Sequence, residues 1–287
     1  MLSVSFHFVS LAALLCYLGA SVDYLRLVWS ASDQAGKLGR KLLVLGLAFH
    51  FLTLLVDRLG WLNSDSSAYL AVAGETFPDL LSAVSWLLIV SYVLLEKRLR
   101  LSFLGALLVP LAAVYMAVAG ILFHYPRYYS PQFDLGEMAS PALAAHGTFL
   151  VIGNASLVFS FAASLLILIQ EGLLKKRIFS EAQRRMPALA ILDRLNTVFL
   201  SIGFLCMLLG IGVGFAFAAV KGVRFVSYDT RVLASLATLL TYLLAVIARF
   251  SWRWRGRRIA ILSVSGFAVL VISYWVSHYE GSSFHVY

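Results

Sequence analysis

Long runs of mostly apolar residues, separated by short polar connections, occur eight times along the chain. A helix needs roughly 20 such residues to cross the hydrocarbon core of a bilayer. Strands of a membrane barrel would alternate apolar and polar positions over about 10 residues, and these runs do not alternate. The pattern therefore predicts an all-α, polytopic membrane protein built as a bundle of eight spanning helices. The predicted spans are approximately Leu2–Trp29, Leu42–Leu59, Leu80–Leu95, Leu101–Phe123, Ala144–Ile169, Val198–Val220, Val232–Ile247 and Ile259–Val276.

Lysine and arginine are concentrated in every second connection. The first, third, fifth and seventh connections hold 18 of the 23 cations. Because cytoplasmic connections carry the excess of Lys and Arg, this alternation supports the count of eight helices. It predicts one integral domain over residues 1–287 with both termini outside. The membrane is expected to be a bacterial cytoplasmic membrane. The first helix is expected to be retained, because its first cation, Arg26, lies at its far end.

The composition agrees with a membrane protein. Apolar residues make up 61% of the chain and charged residues 13%, with a mean hydropathy of +0.88. Soluble domains have about 45–50% apolar and about 25% charged residues, so a soluble enzyme, a disordered protein and a coiled coil are excluded. The net charge of +9 is mostly a topology signal, and we expect no nucleic-acid partner. Cys16 and Cys206 lie in predicted helices without a C-x-x-C motif and are expected to be buried apolar side chains.

The six histidines are distributed unevenly. Five map to helix ends or the tail on the side opposite the basic connections: His7, His124, His146, His278 and His285. This bias predicts a histidine cluster at one membrane face, with interfacial anchoring or proton-linked transport as alternatives. Haem iron suits such a cluster in aromatic surroundings better than zinc, because no H-E-x-x-H spacing is present.

The sixth histidine, His50, falls near the middle of the second predicted helix. An imidazole at that depth needs a partner, because an unsatisfied polar group there is costly. The partner is either a hydrogen-bonding group on a neighbouring helix or a metal such as haem iron, to which neutral histidine offers a lone pair. The residues alone leave both alternatives open.

Several other positions predict structural roles. The run at Gly210–Gly214 has no preceding strand and no P-loop lysine, and it predicts close helix packing. Asn154 and Asn196 are candidate interhelical hydrogen bonders. Met186–Leu195 mixes apolar and basic residues and predicts a short interfacial helix in the fifth connection.

Two further features lie near the last two predicted helices. Asp229 precedes the seventh helix, where a carboxylate is favourable at a helix N-terminus. The basic run at Trp252–Arg258 predicts a short cytoplasmic turn with interfacial Trp anchors. No Ser–His–acid arrangement or phosphate cradle was found, so we expect a protein that is not an enzyme.

An ordered series of stretches resembles the CcsA/HemX family of haem-handling membrane proteins, which is associated with cytochrome c assembly. The likeness covers about residues 50–287. It is carried by Gly74–Arg98 with Leu104–Ala112, Ala144–Arg177, Leu192–Ala218, Tyr228–Tyr274 and the terminal residues FHVY.

The resemblance implies roles for individual residues. His146 and His285 occupy the places of two outer histidines that ligate haem iron axially, and haem b is the implied cofactor. His50 is a candidate haem ligand within the membrane. Asp229 stands where the family's tryptophan-rich haem-handling motif ends in Trp-Asp. The segment VRFVSYDTR holds no Trp and YLLAVIAR no His, which places the chain nearer the HemX-like branch.

Three functional hypotheses follow. The leading one is a haem-binding membrane protein that handles or presents haem at the outer face for cytochrome c assembly. Its partners would be haem, membrane lipid and other cytochrome c assembly or haem-synthesis proteins. The alternative is a HemX-like regulator of haem biosynthesis that acts on glutamyl-tRNA reductase levels through the basic surface at Lys175–Arg194. A small-molecule transporter is disfavoured, because broken helices and buried midplane charges would be expected.

Overall fold

The structure is a computed structural model that describes residues 2–29, 36–62, 77–99, 101–123, 141–177, 186–220 and 230–279. Within these residues the chain forms eight helices, and each is long and apolar enough to cross a membrane. The prediction of an all-α bundle with eight spans is therefore confirmed. The helices are α1 Leu2–Trp29, α2 Lys37–Leu62, α3 Phe77–Leu99, α4 Ser102–Phe123, α5 Pro141–Lys175, α6 Leu189–Val220, α7 Thr230–Phe250 and α8 Arg257–Tyr279.

Consecutive helices pack in pairs, and α5 lies at the centre of the bundle. The pairs are α1 with α2, α3 with α4, α5 with α6, and α7 with α8, while α1 also packs on α4. Helix α5 contacts α3, α4, α6 and α8. Its buried positions are rich in Gly, Ala and Ser, which let neighbouring backbones approach closely.

Many large apolar side chains point out of the bundle. Examples are Leu15, Ile121, Leu205 and Leu240, each exposed over more than half of its surface. In a soluble monomer, such an extensive apolar exterior would be unusual. It is the surface that a lipid environment requires, and it agrees with the hydropathy of the eight helices.

We call the side of the bundle where helices end near residues 29–37, 99–102, 175–189 and 250–257 the basic face, and the other side the histidine face. The basic face contains the connections in which most Lys and Arg were found. Helix α5 begins and α6 ends on the histidine face.

Helix α6 begins earlier than its apolar run predicts. It starts at Leu189, so most of Met186–Leu195 is the first part of a continuous spanning helix. The prediction of a separate interfacial helix there is wrong. In the first turns of α6, the polar side chains Asp193 and Asn196 have partners on other helices, as described below.

Candidate functional site

His146 lies close to the start of α5, on the histidine face, and contacts the end of α6. Its Nδ1 atom is 2.7 Å from the carbonyl oxygen of Gly210. A carbonyl oxygen only accepts hydrogen bonds, so Nδ1 carries the proton and donates it. In a neutral imidazole the lone pair then resides on Nε2. The side chain is half-buried, and the contact fixes both its orientation and its tautomer.

The glycines at the end of α6 make this contact possible. A Cβ atom built on Gly214 would lie 2.7 Å from Nδ1 and 2.8 Å from Cε1 of His146. A Cβ atom on Gly210 would lie 3.1 Å from the Leu150 side chain. The close packing of α5 and α6 predicted for the Gly210–Gly214 run is therefore confirmed.

Asn154 joins three helices two turns further along α5. Its Oδ1 atom accepts a hydrogen bond from the hydroxyl of Tyr274 on α8. Its Nδ2 atom donates to the Leu150 carbonyl oxygen at 2.8 Å and lies 3.9 Å from Sδ of Met207 on α6. The Tyr274 ring contacts Phe77 of α3, with ring centroids 5.3 Å apart.

Asn196 of α6 also joins three helices, at a level nearer the basic face. Its Oδ1 atom accepts hydrogen bonds from Ser160 of α5 at 2.6 Å and from Ser263 of α8 at 3.1 Å. Both asparagines therefore form interhelical hydrogen bonds, as predicted. Each bond satisfies a polar group that could find no water in the bilayer interior.

His50 is fully buried between α1 and α3. Its Nδ1 atom is 3.2 Å from the Tyr17 hydroxyl, and its Nε2 atom is 3.0 Å from the Ser82 hydroxyl. A hydroxyl can donate or accept, so the two contacts satisfy the one N–H and the one lone pair of a neutral imidazole. These contacts link α2 to α1 and α3, whereas His146 contacts α6.

His285 and Asp229 lie outside the described residues, as do the side chains of His7, His124 and His278. The roles predicted for His285 and Asp229 therefore stay predictions. Within the described part of the chain, no group of three or more His, Cys, Asp or Glu residues could hold a metal ion. Cys16 and Cys206 are free thiols there and are only partly buried.

Two carboxylates on the basic face were not singled out from the sequence. Oε1 of Glu96 on α3 accepts hydrogen bonds from the hydroxyls of Tyr24 and Tyr92, both at 2.7 Å. Oδ2 of Asp23 on α1 accepts from the backbone N–H groups of Gly36 and Gly39 at the start of α2, at 3.0 and 2.6 Å. A carboxylate within or beside an apolar run is the signal that could have identified them.

The fold and the site define an integral membrane protein, with eight spanning helices in its described residues and a histidine oriented at one face by a backbone carbonyl. The model of the family described as Cytochrome C assembly protein matches residues 76–285. The chain belongs to this family, as the resemblance stated above implied.

Curated relatives carry two different names. The chain is 27% identical to Protein HemX of Bacillus subtilis over 192 residues, which are 67% of this chain and 68% of that protein. It is 22% identical to the cytochrome c biogenesis protein CcsA of Mesostigma viride over 264 residues, 85% of either chain. A shorter match, over 103 residues at 30% identity, covers 36% of this chain and 29% of CcsA of Trichodesmium erythraeum. No solved structure matches the chain.

Proposed function

We propose that the protein binds haem and handles or presents it at the histidine face for cytochrome c assembly, acting by binding rather than by catalysis. The observation that carries this proposal is the hydrogen bond from Nδ1 of His146 to the Gly210 carbonyl oxygen. Histidines that ligate metals commonly donate their other ring N–H to a backbone carbonyl, which fixes the tautomer and raises the basicity of the ligating nitrogen. Nε2 of His146 is thus prepared to ligate haem iron.

The family resemblance supplies the remaining parts of the proposal. His285 would be the second axial ligand, and Asp229 would lie beside the bound haem. The haem would be of type b, and the lack of a C-x-x-C-H motif for covalent attachment in the sequence agrees with non-covalent binding. The charge distribution supports an orientation with both termini outside, so haem would be handled at the outer face of what we propose is a bacterial cytoplasmic membrane, where other assembly proteins can receive it.

The test is the absorption spectrum of the protein purified in detergent from haem-replete cells. We expect a Soret band in the unaltered protein that is strongly reduced or shifted in His146→Ala, His285→Ala and the double variant. Thr148→Ala is the matched control, because Thr148 is exposed on the same helix and its hydroxyl donates only to the Ala144 carbonyl oxygen. Absence of a Soret band, or an unchanged band in the double variant, would overturn the ligand assignment.

A second candidate function is regulation of haem biosynthesis, acting on glutamyl-tRNA reductase levels. It is supported by the 192-residue match to Protein HemX and by three exposed cations at the end of α5, Lys175, Lys176 and Arg177. These residues lie on the basic face, where the charge distribution places the cytoplasm. There they could contact an acidic surface of a soluble enzyme.

This candidate is tested by replacing Lys175, Lys176 and Arg177 together with Gln and measuring reductase levels in cells. Arg255→Gln with Arg257→Gln is the control, because both residues are exposed on the same face. A change in reductase levels confined to the first variant supports regulation. Unchanged levels in that variant and in a deletion strain would argue against it.

A further inference from the structure

The hydrogen bond from His146 to Gly210 requires the imidazole ring to reach a backbone carbonyl oxygen inside helix α6. Within an α-helix, the carbonyl of residue i already accepts from the N–H of residue i+4. Its second lone pair can accept another hydrogen bond only if a donor can reach it. Side chains around the carbonyl normally restrict this approach, and in α6 the residue at i+4 from Gly210 is Gly214.

The missing side chain of Gly214 leaves the space that the imidazole occupies. A Cβ atom at this position would be 2.7 Å from Nδ1, 2.8 Å from Cε1 and 3.6 Å from Cγ of His146. The first two distances are shorter than non-bonded contacts of a Cβ atom allow. The ring would have to rotate away, and the hydrogen bond to the Gly210 carbonyl oxygen would lengthen or break.

Gly203 and Gly212 of α6 do not share this role. A Cβ atom on Gly212 would meet nothing within 4 Å. A Cβ atom on Gly203 would collide with the side chain of Leu157, which is a packing contact with α5 well away from His146. Apart from Gly210, which supplies the carbonyl oxygen, helix α6 therefore has one glycine whose added Cβ would meet the histidine, one whose Cβ would meet only the packing interface, and one whose Cβ would meet nothing.

We propose that Gly214 is a positioning residue for haem ligation: it opens the α6 backbone so that Gly210 holds His146 in the Nδ1–H tautomer, with the lone pair on Nε2. The inference rests on the proposed function, in which His146 is a haem ligand. It adds that the ligating state of His146 is set by a glycine on the neighbouring helix. Because an oriented second hydrogen bond strengthens a histidine ligand, losing it typically weakens metal affinity by about 10- to 100-fold.

The test compares Gly214→Ala, Gly212→Ala and Gly203→Ala with the unaltered protein in detergent. The first readout is haem affinity by titration of the Soret band. The second needs no haem: nitrogen-15 NMR of labelled histidine in the haem-free protein reports the tautomer of His146, with the signal assigned from its loss in His146→Ala. The third is the midpoint of thermal unfolding, which separates local displacement of the ring from general loss of α5–α6 packing.

We expect Gly214→Ala to lose the Nδ1–H tautomer signal and to bind haem about 10-fold or more weakly. Gly212→Ala should match the unaltered protein in all three readouts. Gly203→Ala should unfold at a lower temperature while its folded fraction keeps the His146 tautomer.

If Gly214→Ala keeps the tautomer and the haem affinity of the unaltered protein while His146→Ala loses haem, the positioning role is wrong and the ligand role stands. If His146→Ala binds haem as the unaltered protein does, both are wrong. A tautomer change of equal size in Gly203→Ala would also overturn the specific role of Gly214.

Discussion

Asp193 near the start of α6 and Arg249 at the end of α7 form a bidentate ion pair on the basic face. Oδ1 and Oδ2 of Asp193 lie 3.1 and 2.8 Å from Nη1 and Nη2 of Arg249. Oδ1 also accepts from the backbone N–H of Gly256, at 3.0 Å, immediately before α8. The Asp193 carboxylate therefore connects α6 to α7 and to the short turn before α8.

Loss of this carboxylate is expected to destabilise the basic face. In Asp193→Ala, Arg249 loses its charged partner and the start of α8 loses an acceptor, so we expect a loss of about 2–3 kcal/mol in the free energy of unfolding. The measurement is unfolding by SDS titration from detergent micelles. The control is Arg255→Ala, since that residue is exposed. Additive effects of Asp193→Ala and Arg249→Ala in the double variant would contradict the pairing.

Gly105 on α4 should tolerate no side chain, because it faces the hydroxyl of Tyr92 and the ring of Tyr24. In Gly105→Ala the added methyl group would displace both tyrosines from Glu96, and we expect a destabilisation of about 1–3 kcal/mol. The matched control on the same helix is Gly120→Ala, where nothing lies within 4 Å of the added atom. There the better helix propensity of Ala should leave stability unchanged or slightly higher. Thermal unfolding in detergent compares the two, and equal midpoints would contradict the tight packing.

Most of the fold can be predicted from the sequence, because the bilayer interior has no water to satisfy the polar groups of the backbone. Eight long apolar runs and the alternation of cations predict eight helices, because a spanning segment must satisfy its own backbone. Helix boundaries are less predictable from hydropathy. Helix α6 begins at Leu189, nine residues before its apolar run. Its first turns contain Asp193 and Asn196, whose partners on other helices a sequence pattern does not reveal.

The residues of the candidate site can be predicted from the sequence, but the contacts between them cannot. The sequence identifies His146, Asn154 and the Gly210–Gly214 run separately, by residue type and depth. It does not indicate that His146 donates to the Gly210 carbonyl oxygen, because that contact depends on how α5 and α6 are aligned. Likewise, the contact between Tyr24 and Glu96 joins residues that are 72 positions apart in the sequence, so a local sequence pattern does not indicate it.

His50 is expected to contribute to stability through its two hydroxyl partners. In His50→Leu, Tyr17 and Ser82 would be left without their shared partner, and we expect a destabilisation of about 1–3 kcal/mol with an unchanged Soret maximum. Thr53→Ala is the control one turn further along α2, where the hydroxyl donates only to the Phe49 carbonyl oxygen. A shifted or lost Soret band in His50→Leu would instead support the ligand role predicted for His50, in which iron replaces one of the hydroxyl partners.

Asn196 is expected to matter more to stability than the hydroxyl groups that bond only within their own helix. Asn196→Ala would leave Ser160 and Ser263 without their common acceptor, and interhelical hydrogen bonds in membrane proteins contribute about 0.6 kcal/mol each on average. With the loss of packing at this buried position, we expect a destabilisation of about 2 kcal/mol or more. Ser201→Ala is the control on the same helix, because its hydroxyl donates only to the Thr197 carbonyl oxygen. The measurement is again SDS titration from detergent, and an effect of Asn196→Ala no larger than that of Ser201→Ala would show that the bonds to Ser160 and Ser263 do not hold α5, α6 and α8 together.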